Sequence, residues 1–202
     1  MNSLSPDQIE QLFRQLLAET RQIHQETPEL CDFSPWPGDL VFKAPSPRAV
    51  PVLPQIMAMA GDGPFQAALA AVADHADWVQ TYSETEVGRH FLDNYGYLEL
   101  FGPTGIFTSS QCRAFIGYWG QGLYYPTHDH EAEELYLVVG GRCRFESDGE
   151  ATADLGPGGI RIHRSFQPHA MDMRDGPLLA LCLWRGPGMA GRAQISTGPL
   201  TE

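Results

Sequence analysis

Four polar side chains recur at even positions within one short stretch of the chain. They are His128, His130, Glu134 and Tyr136. Because side chains alternate between the two faces of a β-strand, residues separated by an even number share a face wherever the strand is regular. Two imidazoles and a carboxylate on one face can hold a first-row divalent metal ion. The spacing therefore predicts a sheet that carries a metal site with a phenol beside it.

The other face of the same predicted strand is apolar, since Leu135, Leu137 and Val139 alternate with the polar residues. An apolar sheet face needs cover from a second layer. The first half of the chain can provide it, because apolar residues recur with helical spacing over residues 5–28 and again over residues 64–79. We therefore expect a helical layer packed on the outside of a β-barrel.

A change of pattern divides the chain into two regions. Residues 1–94 form a predicted helical region, with helices over residues 5–28, from Pro64 onward and over Thr85–Asn94. Residues 95–202 form a predicted β-barrel that holds the metal site, because short strands and turns alternate there. We expect the two regions to form one compact unit.

Glycine-containing turns punctuate the second region. Gly140-Gly141 and Asp148-Gly149 supply residues that accept a positive φ at low cost, so a tight hairpin is predicted at each. The strands predicted between such turns are Tyr97–Phe101, Cys112–Trp119, Glu134–Val139, Arg142–Glu146, Ile160–His163 and Leu178–Trp184.

Charge and cysteine usage limit the function classes. The net charge is -12 and the isoelectric point is near 4.9, which argues against nucleic acid or an anionic membrane surface as a partner and is compatible with a cationic substrate. The four cysteines are scattered without a C-x2-C pair, which disfavours a zinc ribbon. With no secretory signal and no apolar run of membrane-spanning length, we expect a soluble, cytoplasmic protein with reduced thiols.

The polar stretch also matches a family motif. It resembles the first cupin motif, G-x5-H-x-H-x3-E-x6-G, at every defined position: Gly122, His128, His130, Glu134 and Gly141. A second motif, G-x5-P-x-G-x2-H-x3-N, is matched at Gly158 and His169. Its other positions depart from the pattern, since Pro, Gly and Asn are replaced by Arg164, Phe166 and Met173.

This resemblance covers roughly residues 95 to 188 and implies a mainly β fold. The implied architecture is the cupin β-barrel, also called a double-stranded β-helix or jelly roll. It also implies that His169 is the fourth ligand of one divalent metal ion. Zn, Fe, Mn, Ni and Co all accept such a shell of nitrogen and oxygen donors, so the identity of the metal stays open.

A narrower resemblance lies in the run YYPTHDHEAEELYLVVGG. It is similar to the cupin lyases that cleave dimethylsulfoniopropionate, whose characteristic pattern is Y-x-P-x-H-x-H-x-A-E-E-x-Y. Either Tyr124 or Tyr125 can stand at the first tyrosine, and Tyr125 reaches a cavity only if a bend at Pro126 resets the strand. That family also has an N-terminal helical part before its barrel.

The lyase resemblance implies roles for individual residues. The metal ligands are His130, Glu134 and His169, with His128 or Tyr136 completing the shell. Tyr136 is the catalytic base, and Tyr125 is an assisting or competing candidate. A sulfonium cation is attracted to aromatic faces, and the candidates for substrate binding are Trp119, Tyr124, Phe166 and Trp184.

The expected reaction is a β-elimination that converts dimethylsulfoniopropionate, a zwitterionic sulfonium carboxylate, to dimethyl sulfide and acrylate. The expected alternatives are a cupin oxygenase or isomerase that acts on another small carboxylate, and a ligand-sensing cupin without catalysis. A fold of this kind does not by itself fix the function. The oligomeric state stays open between a monomer and a homodimer.

Overall fold

Helices occupy the first part of the chain. The computed structural model describes residues 4–59 and 63–196, so the outermost ends of the two predicted regions lie outside the described residues. Helix α1, Pro6–Glu26, begins after Ser5, whose hydroxyl accepts from the backbone N–H of Gln8, while the Gln8 side chain accepts from the Ser5 N–H at 2.8 Å. This capping box satisfies two N–H groups that the helix leaves unpaired.

The other helices are short. They are α2, Pro28–Phe33; α3, Leu53–Ala58; α4, Pro64–Val72, followed by a 3-10 turn over Ala73–His75; α5, Glu84–Val87; and α6, Arg89–Asp93. Two predictions are corrected. The pattern after Pro64 ends at Val72 as an α-helix, and the predicted helix over Thr85–Asn94 is broken at Gly88, whose φ of +79° is not helical.

Thirteen strands are present in the described residues. They are β1, Val41–Phe42; β2, Trp78–Val79; β3, Tyr95–Gly102; β4, Phe107–Thr108; β5, Arg113–Trp119; β6, Tyr124–Asp129; β7, Glu133–Gly141; β8, Cys143–Ser147; β9, Glu150–Leu155; β10, Ile160–His163; β11, His169–Asp172; β12, Leu178–Arg185; and β13, Gln194–Ile195. All six predicted strands are present, with ends displaced by at most two residues.

The strand order identifies the architecture. One sheet has the order β1-β4-β3-β5-β12-β7-β10, with β2 paired to β3, and the other has the order β13-β6-β11-β8-β9. From β5 to β12 the chain alternates between the sheets except at the β8–β9 hairpin. Four strands of one sheet, β5-β12-β7-β10, thus face four of the other, β6-β11-β8-β9. This is a jelly roll, the cupin architecture, as expected.

The two glycine turns have different outcomes. Asp148-Gly149 joins β8 to β9 as a hairpin, with Ser147 paired to Glu150 and Gly149 at φ +72°, as predicted. The hairpin predicted at Gly140-Gly141 is wrong, because β7 pairs with β10 and β12 whereas β8 pairs with β9 and β11. Gly141, at φ +74°, instead lets the chain leave one sheet for the other.

Side-chain alternation separates two hydrophobic cores. On β7 and β12, the odd-numbered residues Leu135, Leu137, Leu181 and Leu183 face the helical layer, where α1 buries Phe13 and Leu16, α2 buries Leu30 and α4 buries Leu69. The even-numbered residues face the barrel interior, which the second sheet closes with Tyr125, Phe145 and Met171. The helices therefore cover the outside of the barrel, as the alternation on β7 predicted.

No helix in the described part of the chain is long and apolar enough to cross a membrane. The four cysteines, Cys31, Cys112, Cys143 and Cys182, form no disulfide with one another.

Candidate active site

The barrel interior gathers three metal-ligating side chains. Glu134 lies on β7, His169 begins β11, and His130 lies in the short loop between β6 and β7. One donor atom from each lies within 4.8 Å of the other two, and all three residues are buried. His128 is not a member of this group, although its ring lies 4.0 Å from the ring of His169.

A β-bulge brings Tyr125 to the same place. The pairing of β11 with β6 shifts, so that His169 is opposite His128 while Met171 is opposite Tyr125. The extra residue in β6 reverses the alternation between Tyr125 and His128. Their rings stack, and the side chain of Tyr125 is buried in the cavity wall. A bend at Pro126 was the condition for Tyr125 to reach the cavity, and the bulge between Tyr125 and His128 supplies it.

Backbone carbonyls fix the orientation of the imidazoles. The Nδ1 atoms of His128, His130 and His169 lie 2.8 Å from the carbonyl oxygens of Pro126, Ala132 and Gln167, respectively. Since a carbonyl oxygen can only accept, each Nδ1 carries a proton and donates it. In the neutral form of each ring, the Nε2 atom then presents a lone pair, as required of a metal ligand.

The Nε2 atoms of His130 and His169 face the carboxylate of Glu134, which is an acceptor. Glu134 Oε2 lies 2.9 Å from His130 Nε2 and 3.4 Å from His169 Nε2, and the latter atom has no hydrogen-bond partner among the described residues. Buried acceptors at these separations repel one another unless a positive charge lies among them. A divalent metal ion satisfies all three donors at once, so the residues fit a metal site.

The pKa values of His130 and Glu134 are shifted by this arrangement. Burial disfavours both the charged imidazolium and the charged carboxylate, yet the attraction between His130 and Glu134 outweighs it. Despite burial, the carboxylate of Glu134 raises the pKa of His130, and His130 and His169 hold the pKa of Glu134 well below its usual value. A carboxylate that stays ionised inside the barrel is the form that ligates metals.

Tyr136 and His163 adjoin this group on neighbouring strands. Tyr136 lines the cavity, and burial, together with the charge of Glu134, raises the pKa of its phenol well above the usual value. His163 stacks on His169, with centroids 3.9 Å apart, and its Nδ1 bonds the Ser147 hydroxyl at 3.2 Å. This hydrogen bond holds the ring of His163 against His169.

Two tryptophans close different ends of the cavity. Trp184 donates its indole N–H to Glu134 Oε1 at 2.7 Å, and its ring lies 4.2 Å from that of His130. Trp119 lies against Tyr125 and Tyr136, and its indole N–H has no partner in the described part of the chain. Both rings line one cavity together with His128, His130 and Glu134.

Two predicted substrate contacts lie elsewhere. Tyr124 is 45% exposed and bonds Glu146 on the barrel surface, because the bulge turns Tyr125, and not Tyr124, inward. Phe166 is 61% exposed in the turn before β11. The expectation that these two side chains line the cavity is therefore corrected.

Sequence reasoning missed several residues that line the cavity or contact its lining. Tyr82 precedes α5, and its hydroxyl is hydrogen-bonded to that of Tyr125. Arg113 reaches the cavity from β5, bonds Glu99 at 2.8 Å and donates to the carbonyl of Gly191 at 2.9 Å. Further lining residues are Thr81, Tyr95, Tyr97, Phe115, Arg192 and Ala193. The sequence signal for Arg113, Phe115 and Trp119 was their shared parity on a predicted strand; nothing local indicated Tyr82.

Comparison with known proteins is consistent with this geometry. A family model for dimethylsulfoniopropionate (DMSP) lyase matches residues 52–180. Dimethylsulfoniopropionate lyase DddQ of Ruegeria pomeroyi is 34% identical over 186 residues, which are 89% of this chain and 92% of that protein. A putative dimethylsulfoniopropionate lyase, DddL of Cereibacter sphaeroides, is 30% identical over 123 residues, covering 59% of this chain and 50% of that protein.

Solved structures resemble the whole fold. A crystal structure described as DMSP lyases RdDddP and RnDddQII superposes with a TM-score of 0.89 at 38% identity, covering 94% of this chain and 100% of that one. The structure of DMSP lyase DddQ from Ruegeria pomeroyi gives a TM-score of 0.82 at 32% identity, covering 92% and 96%. The similarity therefore includes the N-terminal helical layer as well as the barrel.

Proposed function

This chain belongs to the dimethylsulfoniopropionate lyase family, and on that premise we propose that it is a carbon–sulfur lyase that cleaves dimethylsulfoniopropionate to dimethyl sulfide and acrylate. One observation carries the proposal beyond family membership: the buried group of His130, Glu134 and His169 shares an aromatic cavity with Tyr136. The sulfonium end of this zwitterion suits the aromatic rings that line the cavity.

The reaction needs a base at one carbon of the substrate. The phenolic oxygen of Tyr136 takes the proton from the carbon next to the carboxylate. The electron pair of that C–H bond forms the double bond of acrylate, while the C–S bond breaks and its electron pair leaves with dimethyl sulfide. Tyr125, on the facing sheet, is the assisting candidate for this proton transfer.

Three residues would hold a divalent ion in this site: His130, Glu134 and His169, with His128 or Tyr136 as the proposed fourth ligand. Such an ion would supply a positive charge, which attracts the substrate carboxylate and lowers the pKa of an adjacent phenol. The carbonyls that accept from Nδ1 turn Nε2 of each imidazole toward the site, and the carboxylate of Glu134 is ionised, so the ion would displace only a proton held between His130 and Glu134.

Recognition of the sulfonium group falls to the aromatic wall. Trp119 and Tyr125 stack at 6.4 Å, and Tyr95 and Tyr97 extend the same wall. Aromatic faces attract a desolvated cation by roughly 2 kcal/mol. The burial of these rings also keeps bulk water from competing for the proton that Tyr136 removes.

The test is a headspace measurement of dimethyl sulfide from metal-loaded protein and dimethylsulfoniopropionate. We expect rapid release by the wild-type protein and a loss of about 10²- to 10⁴-fold in Tyr136→Phe, the usual contribution of a positioned base. Metal content is measured alongside, because Tyr136→Phe should retain the ion if His128 completes the shell.

Two controls separate the alternatives. Activity that disappears without dioxygen would indicate a cupin oxygenase rather than a lyase. Slow release of dimethyl sulfide that Tyr136→Phe leaves unchanged would contradict the proposed substrate and base together, even if the protein binds metal. A protein that binds metal but turns over no small carboxylate would support a ligand-sensing role.

A further inference from the structure

A row of buried side chains crosses four strands of the first sheet. In the strand register Arg113 on β5 is opposite Trp184 on β12, Trp184 is opposite Glu134 on β7, and Glu134 is opposite His163 on β10. All four residues are at least nine-tenths buried. Neighbours in such a row lie within side-chain contact of one another, so Trp184 lies between a metal-ligating carboxylate and a buried cation.

The indole N–H of Trp184 is committed to the carboxylate. It donates to Glu134 Oε1 at 2.7 Å, while the other oxygen, Oε2, faces His130 Nε2 at 2.9 Å. The hydrogen bond occupies a lone pair of Oε1, so Oε2 is the oxygen better placed to ligate a metal ion between the two histidines. The indole therefore selects which oxygen faces the two histidines and favours one-oxygen ligation by Glu134.

Three other side chains surround the ring of Trp184. His130 lies 4.2 Å from it, the edge of Phe115 approaches at 5.3 Å, and the guanidinium carbon of Arg113 lies 5.4 Å from its centre. Arg113 is held there by Glu99 and by the carbonyl of Gly191. A second cation brought to this ring would meet the charge of Arg113, which disfavours a sulfonium contact at Trp184.

From these contacts we propose that Trp184 is a positioning residue for the metal ligand Glu134, and not a residue that binds the substrate cation. The inference rests on the proposed metal site and deepens it. Donors that orient a ligating side chain typically contribute 10- to 100-fold to metal affinity. The sulfonium group is then left to the aromatic rings around Trp119.

The chain offers a matched pair for the test. Both tryptophans line the cavity, but only Trp184 donates its indole N–H to a described residue, since Trp119 Nε1 has no partner. We would measure the affinity for Co²⁺ by titration against a competing chelator, without substrate. Trp184→Phe should weaken binding by about 10- to 100-fold, whereas Trp119→Phe should stay within about twofold because it breaks no hydrogen bond.

A second variant separates the hydrogen bond from packing. Glutamine places an N–H the same number of bonds from Cβ as the indole does, but it has no ring. If the donor matters, Trp184→Gln binds Co²⁺ more tightly than Trp184→Phe; if ring packing matters, the order reverses and the proposal is wrong. Folding of each variant is checked by thermal unfolding.

Spectroscopy gives a readout that general loosening would not produce. When the indole no longer holds Oε1, both oxygens of Glu134 can ligate, and the coordination number of bound Co²⁺ rises. The visible absorption spectrum of bound Co²⁺ should therefore change in Trp184→Phe alone. In the wild-type protein the ¹⁵N-labelled indole N–H of Trp184 should shift when metal is added.

The outcomes distinguish the two proposals. A wild-type protein without affinity for Co²⁺ would overturn the metal site itself. A wild-type protein that binds Co²⁺ with an indole signal indifferent to the metal, or a Trp184→Phe variant of unchanged affinity with a raised KM for dimethylsulfoniopropionate, would overturn only the positioning role. A raised KM with unchanged metal affinity would indicate that Trp184 contacts the substrate.

Discussion

Tyr125 and His128 stack face to face, with ring centroids 3.7 Å apart and planes 13° from parallel, although they lie an odd number of residues apart on one strand. The bulge in β6 makes this contact possible, because it inserts one residue between two that would otherwise face opposite sides. The contact joins a candidate catalytic phenol to the histidine cluster.

Tyr125 also contacts Tyr82, and this contact is the basis of the first prediction. The Tyr82 hydroxyl is hydrogen-bonded to that of Tyr125 and fixes where the Tyr125 oxygen points. In Tyr82→Phe we expect kcat to fall about fivefold with KM nearly unchanged, since one neutral hydrogen bond contributes about 1 kcal/mol. Steady-state kinetics of dimethyl sulfide release measure the effect.

A surface tyrosine is the control for this variant. Tyr124→Phe removes a hydroxyl that contacts only Glu146 outside the cavity, so its kinetics should match the wild type. Equal kinetics in Tyr82→Phe and Tyr124→Phe would show that Tyr82 does not act on the reaction.

Removal of metal should affect stability as well as activity. A ligand present at a hundredfold excess over its Kd stabilises the native state by about 2.7 kcal/mol. Dialysis against a chelator should therefore lower Tm, and added metal should restore it. His169→Ala should lose this response because one of three grouped donors is missing, whereas His90→Ala, at an exposed helical position, should keep it. Identical responses in both variants would refute the site.

Two glycines with nearly equal φ angles provide a test of the crossover between sheets. A Cβ at Gly141, where φ is +74°, would lie 1.8 Å from the carbonyl oxygen of Pro177; at Gly149, where φ is +72°, it would meet nothing within 4 Å. Gly149→Ala should cost about 1–2 kcal/mol from conformation alone.

At the crossover the steric clash adds to that penalty. Gly141→Ala should cost about 1–3 kcal/mol more than Gly149→Ala, the usual range for overpacking. Urea unfolding measures both free energies. A cost for Gly141→Ala no greater than that for Gly149→Ala would mean that the strands separate there without strain.

Acid unfolding should report a contact between the N-terminal region and the barrel. Hydrogen bonds from Ser109 and Ser110 lower the pKa of Asp39 from 3.8 to about 2. Because the pKa is depressed in the folded state, this stabilisation is present above pH 3.8 and is lost as the pH falls toward 2. Asp39→Asn should therefore be less stable at neutral pH and equal to the wild type near pH 2.

The control for Asp39 is an exposed aspartate. Asp32→Asn, in α2, removes a carboxylate without removing a serine contact, so its stability at neutral pH should match that of the wild type. If Asp39→Asn loses the same stability at every pH, the serine contacts do not depend on the charge of Asp39.

The turn before His169 keeps a backbone conformation typical of glycine although the motif glycine is replaced. Phe166 stands where the family has glycine, and it adopts a φ of +55°, the conformation for which glycine is favoured. Its N–H bonds the carbonyl of His130 at 2.8 Å. The backbone geometry thus persists without the motif residue, at a conformational cost of about 1–2 kcal/mol, because that hydrogen bond and the pairing of β11 hold it.

Local periodicity was enough to predict much of this protein. The alternation on β7 predicted which side chains face the cavity and which face the helices, because a strand allows only two orientations. Spacing likewise predicted that His130 and Glu134 lie together, although it also included His128; the family resemblance, and not spacing, implied that His169 joins them. Conversely, Gly140-Gly141 was predicted as a hairpin, because a glycine pair permits a sharp bend without specifying which strand receives the chain.

Tertiary structure alone decided the contacts that complete the site. Tyr82 is 43 residues from Tyr125, and Trp184 is 50 residues from Glu134, so no local pattern links either pair. Their meeting depends on the strand register, on the bulge in β6 and on the packing of the segment around α5. These features arise from the balance of all contacts in the folded chain, whereas local spacing records only the preferences of neighbouring residues.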